Sequence, residues 1–208
     1  MNKTRKKILI FSILTAITVC CVVTSHTTQL RRSIAGKIVR LHILANSDSP
    51  SDQKIKLLVR DRLLREGKSI FANAQNPLDC YSLAEENINF LTSAAEDEIK
   101  KHGGSDNVKI SCGNYFFPMK SYSTFALPAG NYDAVRVEIG SGMGQNWWCV
   151  MFPPLCFVNG AAEDGSLSQN LTAEEMDLIT AEGGVCVKFK IVDFFEQSVN
   201  SIKTALKK

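Results

Sequence analysis

Two cysteines lie seven residues apart in the stretch NWWCVMFPPLCFV, residues 146–158, which also holds both tryptophans and a Pro-Pro pair. Four interpretations fit this stretch: a catalytic thiol, a metal site, a disulfide or simple hydrophobic core. A catalytic cysteine needs a base within hydrogen-bond reach. Of the histidines, His42 alone stands in an apolar segment that could bury it near Cys149 or Cys156. One base without a nucleophile motif is a weak sign of a Cys-His hydrolase or transpeptidase.

Metal and cofactor binding have less support. Structural zinc needs four ligands, usually supplied by Cys-x-x-Cys or His pairs, and neither Cys149 nor Cys156 has such a neighbour. The glycines of GSGMGQN, residues 140–146, begin like a dinucleotide-binding fingerprint, but no helical pattern follows them. We therefore expect no metal, no cofactor and no small-molecule substrate.

A disulfide between the two cysteines has a geometric argument. If the chain reverses at Phe152 and Pro153, Cys149 faces Cys156 across an antiparallel pair, where α-carbons lie about 4.5 to 5.5 Å apart. A disulfide tolerates that spacing, and closing so small a loop adds about 2 kcal/mol in the chain-entropy model. The alternative is two free thiols in a hydrophobic strand, which cysteine accepts readily. Both interpretations stay open at this point.

The amino terminus indicates export. The uncharged run of residues 8–23 follows four cations, which are Lys3, Arg5, Lys6 and Lys7. This order is typical of a secretory signal or an amino-terminal membrane anchor. The run is longer than most signal cores and slightly short for a membrane span, so residues 1–25 are predicted as a signal peptide or a membrane anchor. Residues 26–35 are expected to be a linker and residues 36–208 a single exported domain.

The charge of that exported part argues against nucleic acid as a partner. Residues 26–208 hold 20 basic and 21 acidic residues, so no basic field is available to bind phosphates. Outside the apolar run the sequence has five cysteines, an odd number, so at least one is free or pairs between chains. These are Cys80, Cys112, Cys149, Cys156 and Cys186.

The exported part reads as a mixture of strands and helices. Residues 36–45 alternate between an apolar face and a face with an arginine and a histidine, which predicts a strand. Ser49 precedes Pro50 as an N-cap precedes a first-turn proline, and the helix that follows is predicted to end near Glu66. The apolar period of four and three predicts a second helix of six turns from Pro77 to the glycines after His102.

The remaining elements complete a fold class. Strands are predicted at residues 107–113 and 131–140, with an ordered loop or hairpin between them. Residues 159–170 are predicted as a solvated loop or as the point where the core gives way to an appendage. A weaker strand at 185–192 and a helix from Asp193 end the chain. Strands mixed with two or three helices in no strict alternation predict an α+β fold, a single domain in which helices pack on a largely antiparallel sheet.

Two segments resemble the stage II sporulation protein R family of endospore-forming bacteria. They are RLHILANSDSPSDQKIKLLVRD, residues 40–61, and FPMKSYSTFALPAGNYDAVRVEIGSGMGQNWWCVMFPPLCFV, residues 117–158. The strings ANSDS, LPAG and NWWCV-FPPLCF are unusual, and the likeness extends over residues 40–158. Met119 and Ser123 depart from the threonine and glycine expected there, which puts a local turn in doubt.

The resemblance implies an intercellular signal and not a catalyst. Family members are made in the forespore and exported to the space between the forespore and mother-cell membranes. There they trigger a membrane-embedded aspartic protease of the mother cell, which processes the sigma factor E precursor. An uncleaved 8–23 segment would tether the protein to the forespore membrane. The rival classes are a cell-surface enzyme that uses Cys149 or Cys156 and a structural component of wall or coat.

Exposed aromatic side chains are suitable anchors for a protein contact. We expect the protease contact to involve aromatic residues of the 117–158 segment, and the alternative for each is core packing. These residues are Trp147, Trp148, Phe117 and Tyr122.

Overall fold

The structure is a computed structural model that describes residues 3–122, 124–157 and 165–180. Ile34–Thr180 form one compact unit. The strand predicted at 185–192, the helix predicted from Asp193, and Cys186 lie outside the described residues.

An apolar helix, α1, covers Lys3–Gly36. Within it, Ile10–Gly36 is by length and composition able to cross a membrane, as an anchor or a signal sequence would. Its 27 residues would rise about 40 Å, more than a bilayer core needs. Threonine hydroxyls bond back to carbonyls one turn earlier, as from Thr18 to Leu14 at 2.9 Å, so these hydroxyls need no water. Residues 26–35, expected to be a linker, continue the helix because they contain neither glycine nor proline.

The central sheet has the order β2-β5-β1-β6 in the described part of the chain. Strand β1 pairs in parallel with β5 and antiparallel with β6, and β2 pairs antiparallel with β5. The strands are β1 Val39–Leu44, β2 Val108–Phe117, β5 Gly130–Ile139 and β6 Asn146–Phe152. Two short strands, β3 Lys120–Ser121 and β4 Ala126–Leu127, form the hairpin predicted between β2 and β5. The α+β prediction is confirmed.

Three helices cover one face of the sheet, called here the first face. They are α2 Pro50–Ile70, α3 Pro77–Glu86 and α4 Ile88–Lys101. Their apolar stripes pack on the odd-numbered side chains of β1 and β5, such as Leu41 and Val135, to form the larger core. As predicted, Ser49 caps α2, and its hydroxyl accepts a hydrogen bond from the Asp52 N–H at 3.1 Å.

The single six-turn helix predicted from Pro77 is wrong, because Asn87 divides it into α3 and α4. The Asn87 side-chain amide donates to the Leu83 carbonyl at 2.8 Å, and the Asn87 carbonyl accepts from the Leu91 N–H at 2.9 Å. Asparagine thus ends one helix and begins the next. The apolar period runs on across this break, so the sequence pattern does not reveal it.

Two loops are tied together beside the carboxyl end of β1. Asn46 accepts from the Ser141 N–H at 2.9 Å, and the Asp48 carboxylate accepts from the Gln145 N–H at 2.7 Å. The Gly144 N–H donates to the Ala45 carbonyl at 2.9 Å. These bonds, called here the latch, join the loop after β1 to the turn before β6. Gly144 of GSGMGQN therefore serves the close approach of these two loops.

Gly144→Ala should lower the free energy of unfolding by about 2 kcal/mol or more, because a Cβ at Gly144 would overlap the backbone of Ser47. Urea unfolding of the full chain in mild detergent, followed by tryptophan fluorescence, measures the change. Gly36→Ala is the matched control, since apart from its own chain neighbours and helix backbone no atom of the described residues lies within 4 Å of its added Cβ. Equal losses in the two variants would contradict the close approach at Gly144.

Candidate functional site

The second face of the sheet, opposite α2, α3 and α4, carries polar side chains in rows that cross all four strands. Strand alternation directs Arg40 and His42 of the central strand to this face. One row consists of Ser111, Arg136, His42 and Trp148, and the next of Gly113, Ala134, Arg40 and Val150. The central strand β1 thus directs its apolar side chains to the first face and an arginine and a histidine to the second face.

One end of the second face is covered. The β3–β4 hairpin, the turn Leu155–Phe157 and two short helices, α5 Ser166–Asn170 and α6 Ala173–Thr180, contribute to a second core there. An ion pair of 2.7 Å between Lys37 and Glu175 ties α6 to the segment before β1. Of the segment 159–170 predicted as a loop, residues 159–164 lie outside the described residues, and residues 166–170 are helical, which corrects that part of the prediction.

The other end of this face is partly open, and we call it the open end. Its members combine hydrogen-bonding, charged and aromatic side chains, five of them half-buried and two exposed. They are Ser111, Tyr115, Arg136, Glu138 and Trp148, with Lys109 and Asn146 exposed. Such a surface presents groups for binding, with donors and acceptors beside aromatic rings.

His42 lies between the covered end and the open end. Its imidazole stacks on Trp148 with ring centroids 3.7 Å apart, and its Nε2 donates to the Asn146 side-chain oxygen at 2.7 Å. Burial lowers the pKa of His42, and the positive charges of Arg136 and Arg40 lower it further, against the opposing effects of Asn146 and Glu138. The neutral imidazole is therefore the form that this site favours.

Arg40 is 0% exposed in the covered end. Its Nη2 donates to the Tyr122 hydroxyl at 2.9 Å, and its guanidinium lies 4.2 Å from the Phe117 ring centroid and 5.1 Å from that of Tyr132. Burial lowers its pKa, opposed by Tyr122 and Tyr132, yet arginine stays charged. Its Nε and Nη1 have no hydrogen-bond partner among the described residues. Among the described residues, aromatic faces and one hydroxyl thus hold this charge without a carboxylate.

Cys149 and Cys156 form a disulfide with α-carbons 5.9 Å apart. The register argued for it is wrong, because Cys156 lies in the 3-10 turn Leu155–Phe157 and β6 pairs with β1 instead of with the chain after Pro153. The bond attaches that turn to β6.

The geometry contradicts a Cys149–His42 catalytic pair. Cys149 is opposite Leu41 and belongs to the first face, whereas His42 is opposite Trp148 on the second. The sheet therefore separates the base from the sulfur, and the sulfur is bonded to Cys156. Across the ranges that the structure describes, no group of three His, Cys, Asp or Glu side chains could hold a metal ion.

The two tryptophans lie on opposite faces. Trp147 is half-buried on the first face with the Arg60 guanidinium 5.3 Å from its ring centroid, and Trp148 is half-buried on the second. Tyr122 is covered only in part, in the second core. Phe117 was expected to contact a partner, but it is 0% exposed, whereas its neighbour on β2, Phe116, is 67% exposed. Phe117 serves the second core instead.

Sequence reasoning missed Arg40 and Arg136 as members of the site. The sequence did mark Arg40 as unusual, since an arginine inside an apolar strand is rarely buried unless other groups stabilise its charge. Arg136 stood on the polar side of a predicted strand, where a solvated cation is ordinary. Recognising it required the register that places it beside His42.

The fold and the site define a small α+β domain that follows an apolar helix and has one partly open sheet face. The sequence model of the Stage II sporulation protein R family matches residues 35–162, so the chain belongs to this family, and the family gives it a role in sporulation. Stage II sporulation protein R of Bacillus subtilis (strain 168) is 32% identical over 181 residues, which cover 77% of this chain and 81% of that protein. No solved structure matches.

Replacing both Cys149 and Cys156 with serine should lower the free energy of unfolding by about 2 kcal/mol, the loop-closure value for so short a ring. Urea unfolding with and without dithiothreitol measures it. The reductant should weaken the wild-type chain and leave the double variant unchanged. A wild-type chain insensitive to dithiothreitol would contradict a stabilising bond.

His42 should make stability depend on pH. Its folded pKa lies below the ordinary value of 6.5, so the unfolded chain takes up the proton first. The contribution of neutral His42 is complete above pH 6.5 and is lost as the pH falls through the lowered folded pKa. As the pH falls below 6.5, the urea midpoint of the His42→Gln variant should therefore decrease less steeply than that of the wild-type chain. Parallel curves would contradict the lowered pKa.

Proposed function

We propose that the protein is an exported signal of endospore formation, made in the forespore, that activates a membrane-embedded aspartic protease of the mother cell. That protease would then process the sigma factor E precursor. Membership of the stage II sporulation protein R family, over residues 35–162, carries the proposal. The apolar helix α1 in front of the domain supports export.

Helix α1 also bears on where the signal acts. As an uncleaved anchor, residues 8–23 would hold the protein on the forespore membrane while the domain lies in the space between the two membranes. As a signal peptide, the same residues would be removed and the domain would diffuse in that space. In both cases the domain meets the extracytoplasmic part of the protease.

The proposed mechanism is binding without covalent chemistry. A ligand activates an enzyme only if it binds the active state more tightly than the inactive one. In this proposal the domain binds the extracytoplasmic part of the protease in its active, self-assembled state. Trp148 is a suitable anchor, because its ring is already held by His42 and ordering it on binding costs little.

Reconstitution tests this function. The purified full chain, added to membranes that contain the protease, should provoke cleavage of the sigma factor E precursor, scored on immunoblots. Trp148→Ala should weaken this activation about tenfold, the effect of losing one aromatic hot spot. Trp147→Ala is the matched control, because Trp147 lies on the first face. Absence of cleavage with the folded wild-type chain would refute the function.

The same assay separates a signal from the rival cell-surface enzyme. A signalling domain without Cys149 and Cys156 loses activation only in proportion to its lost stability. An enzyme that uses either thiol loses all activity even when it is folded. Circular dichroism of each variant establishes the folded fraction.

A further inference from the structure

We propose that the open end of the second face binds an acidic segment of a protein partner. The inference deepens the proposed function by naming the surface and the chemistry of what it contacts. It depends on that function only for the identity of the receptor.

The charges of the described part of this face favour an anion. At the open end, Lys109 and Arg136 stand against one carboxylate among the described residues, that of Glu138. Arg40 adds a positive charge in the neighbouring row, and the Lys37–Glu175 pair of the covered end is neutral overall. Arg136 donates to Glu138 at 2.8 Å, and their side chains are 32% and 25% exposed. A pair this exposed is weak, so an incoming carboxylate can take the place of Glu138 at little cost.

The buried charge of Arg40 strengthens the preference of the open end for an anion. Its charge is buried with no carboxylate among the described residues, and neither Nε nor Nη1 has a hydrogen-bond partner there. Water screens a buried charge less than an exposed one, so its field reaches the adjacent surface. Arg136 pairs in register with His42, and their row is next to that of Arg40, so an acidic group bound at Arg136 lies within that field.

Aromatic rings give the surface a fixed shape. Trp148 stacks on His42 and meets the edge of Phe117 at 4.8 Å between centroids. Tyr115 lies 5.5 Å from the Arg136 guanidinium, and its hydroxyl is 3.0 Å from that of Ser111. Rings held in this way lose little freedom on binding. A peptide with acidic and apolar side chains fits such a surface.

A protein segment suits this surface better than a membrane. Recognition of anionic lipids through charge typically uses clusters of about four to eight lysines or arginines. The described open end has two surface cations, and Glu138 lies in the same row as Lys109. The mixture of one carboxylate, two cations and two rings is selective, which is typical of a protein interface.

Direct binding to the full chain in mild detergent tests the inference. The probes are fluorescein-labelled peptides of alternating glutamate and serine and of alternating lysine and serine, measured by anisotropy. The acidic peptide should bind and the basic one should not, with affinity falling as salt is added. Arg136→Glu and Lys109→Glu should each weaken binding about tenfold. Arg65→Glu is the matched control, because its side chain is 61% exposed on α2, which packs on the first face.

Arg40→Met separates charge from folding. Methionine keeps the apolar length of the side chain but loses the charge, the hydrogen bond to Tyr122 and the contacts with the Phe117 and Tyr132 rings. Circular dichroism establishes the folded fraction, and the folded variant should bind the acidic peptide several-fold more weakly than the wild-type chain. Unchanged peptide affinity in both Arg136→Glu and Lys109→Glu would overturn the proposal. So would binding of phosphatidylglycerol vesicles that both Arg136→Glu and Lys109→Glu weaken, with no binding of the peptide, since helix α1 is common to all variants and that result assigns the face to a membrane.

The precursor-cleavage assay distinguishes this inference from the proposed function. If the wild-type chain binds the acidic peptide through Arg136 but provokes no cleavage, the function fails and the surface stands. If cleavage occurs and Arg136→Glu leaves both cleavage and peptide binding at the wild-type level, the function stands and the acidic contact is refuted.

Discussion

The rest of the structure depends on the double burial of β1. Strand β1 lies between β5 and β6, and all six of its residues are buried. Leu41 and Ile43 enter the core under the helices, whereas Arg40 and His42 enter the opposite face. A slip of one residue in register would exchange these sets, placing a charge under the helices and leucine beside the aromatic rings. The two faces therefore specify one register together.

The buried arginine in turn determines the composition of the second core. A guanidinium cannot lose its proton at physiological pH, so its surroundings must stabilise a cation. Phe117, Tyr132 and Tyr122 do so with two ring faces and one hydroxyl. These aromatic residues thus stabilise the buried cation, and Phe117 is buried because its ring lies against the Arg40 guanidinium. The tryptophan next to this cluster, Trp148, keeps part of its surface exposed.

Local chemistry was readable from the sequence, and long-range register was not. The cap at Ser49 and the alternation of β1 depend on neighbours along the chain, so both could be predicted. The break at Asn87 could not, since the apolar period crosses it. The Cys149–Cys156 pair was proposed from a hairpin that does not exist, because β6 takes β1 as its partner. Arg136 and His42 become neighbours only through that sheet order.

The sequence segments by which the family is recognised form loops, turns and a strand at the edges of the candidate site. ANSDS forms the latch at the end of β1, and LPAG supplies the Pro128 carbonyl, which accepts from the Tyr132 hydroxyl at 2.7 Å. NWWCV-FPPLCF provides β6 and its bond to the following turn. ANSDS and LPAG position strands beside the open end, whereas the last segment contributes two of its members, Asn146 and Trp148. Changes in ANSDS and LPAG therefore act on the site through the position of the strands, whereas changes at Trp148, Arg136 or Lys109 alter the surface itself.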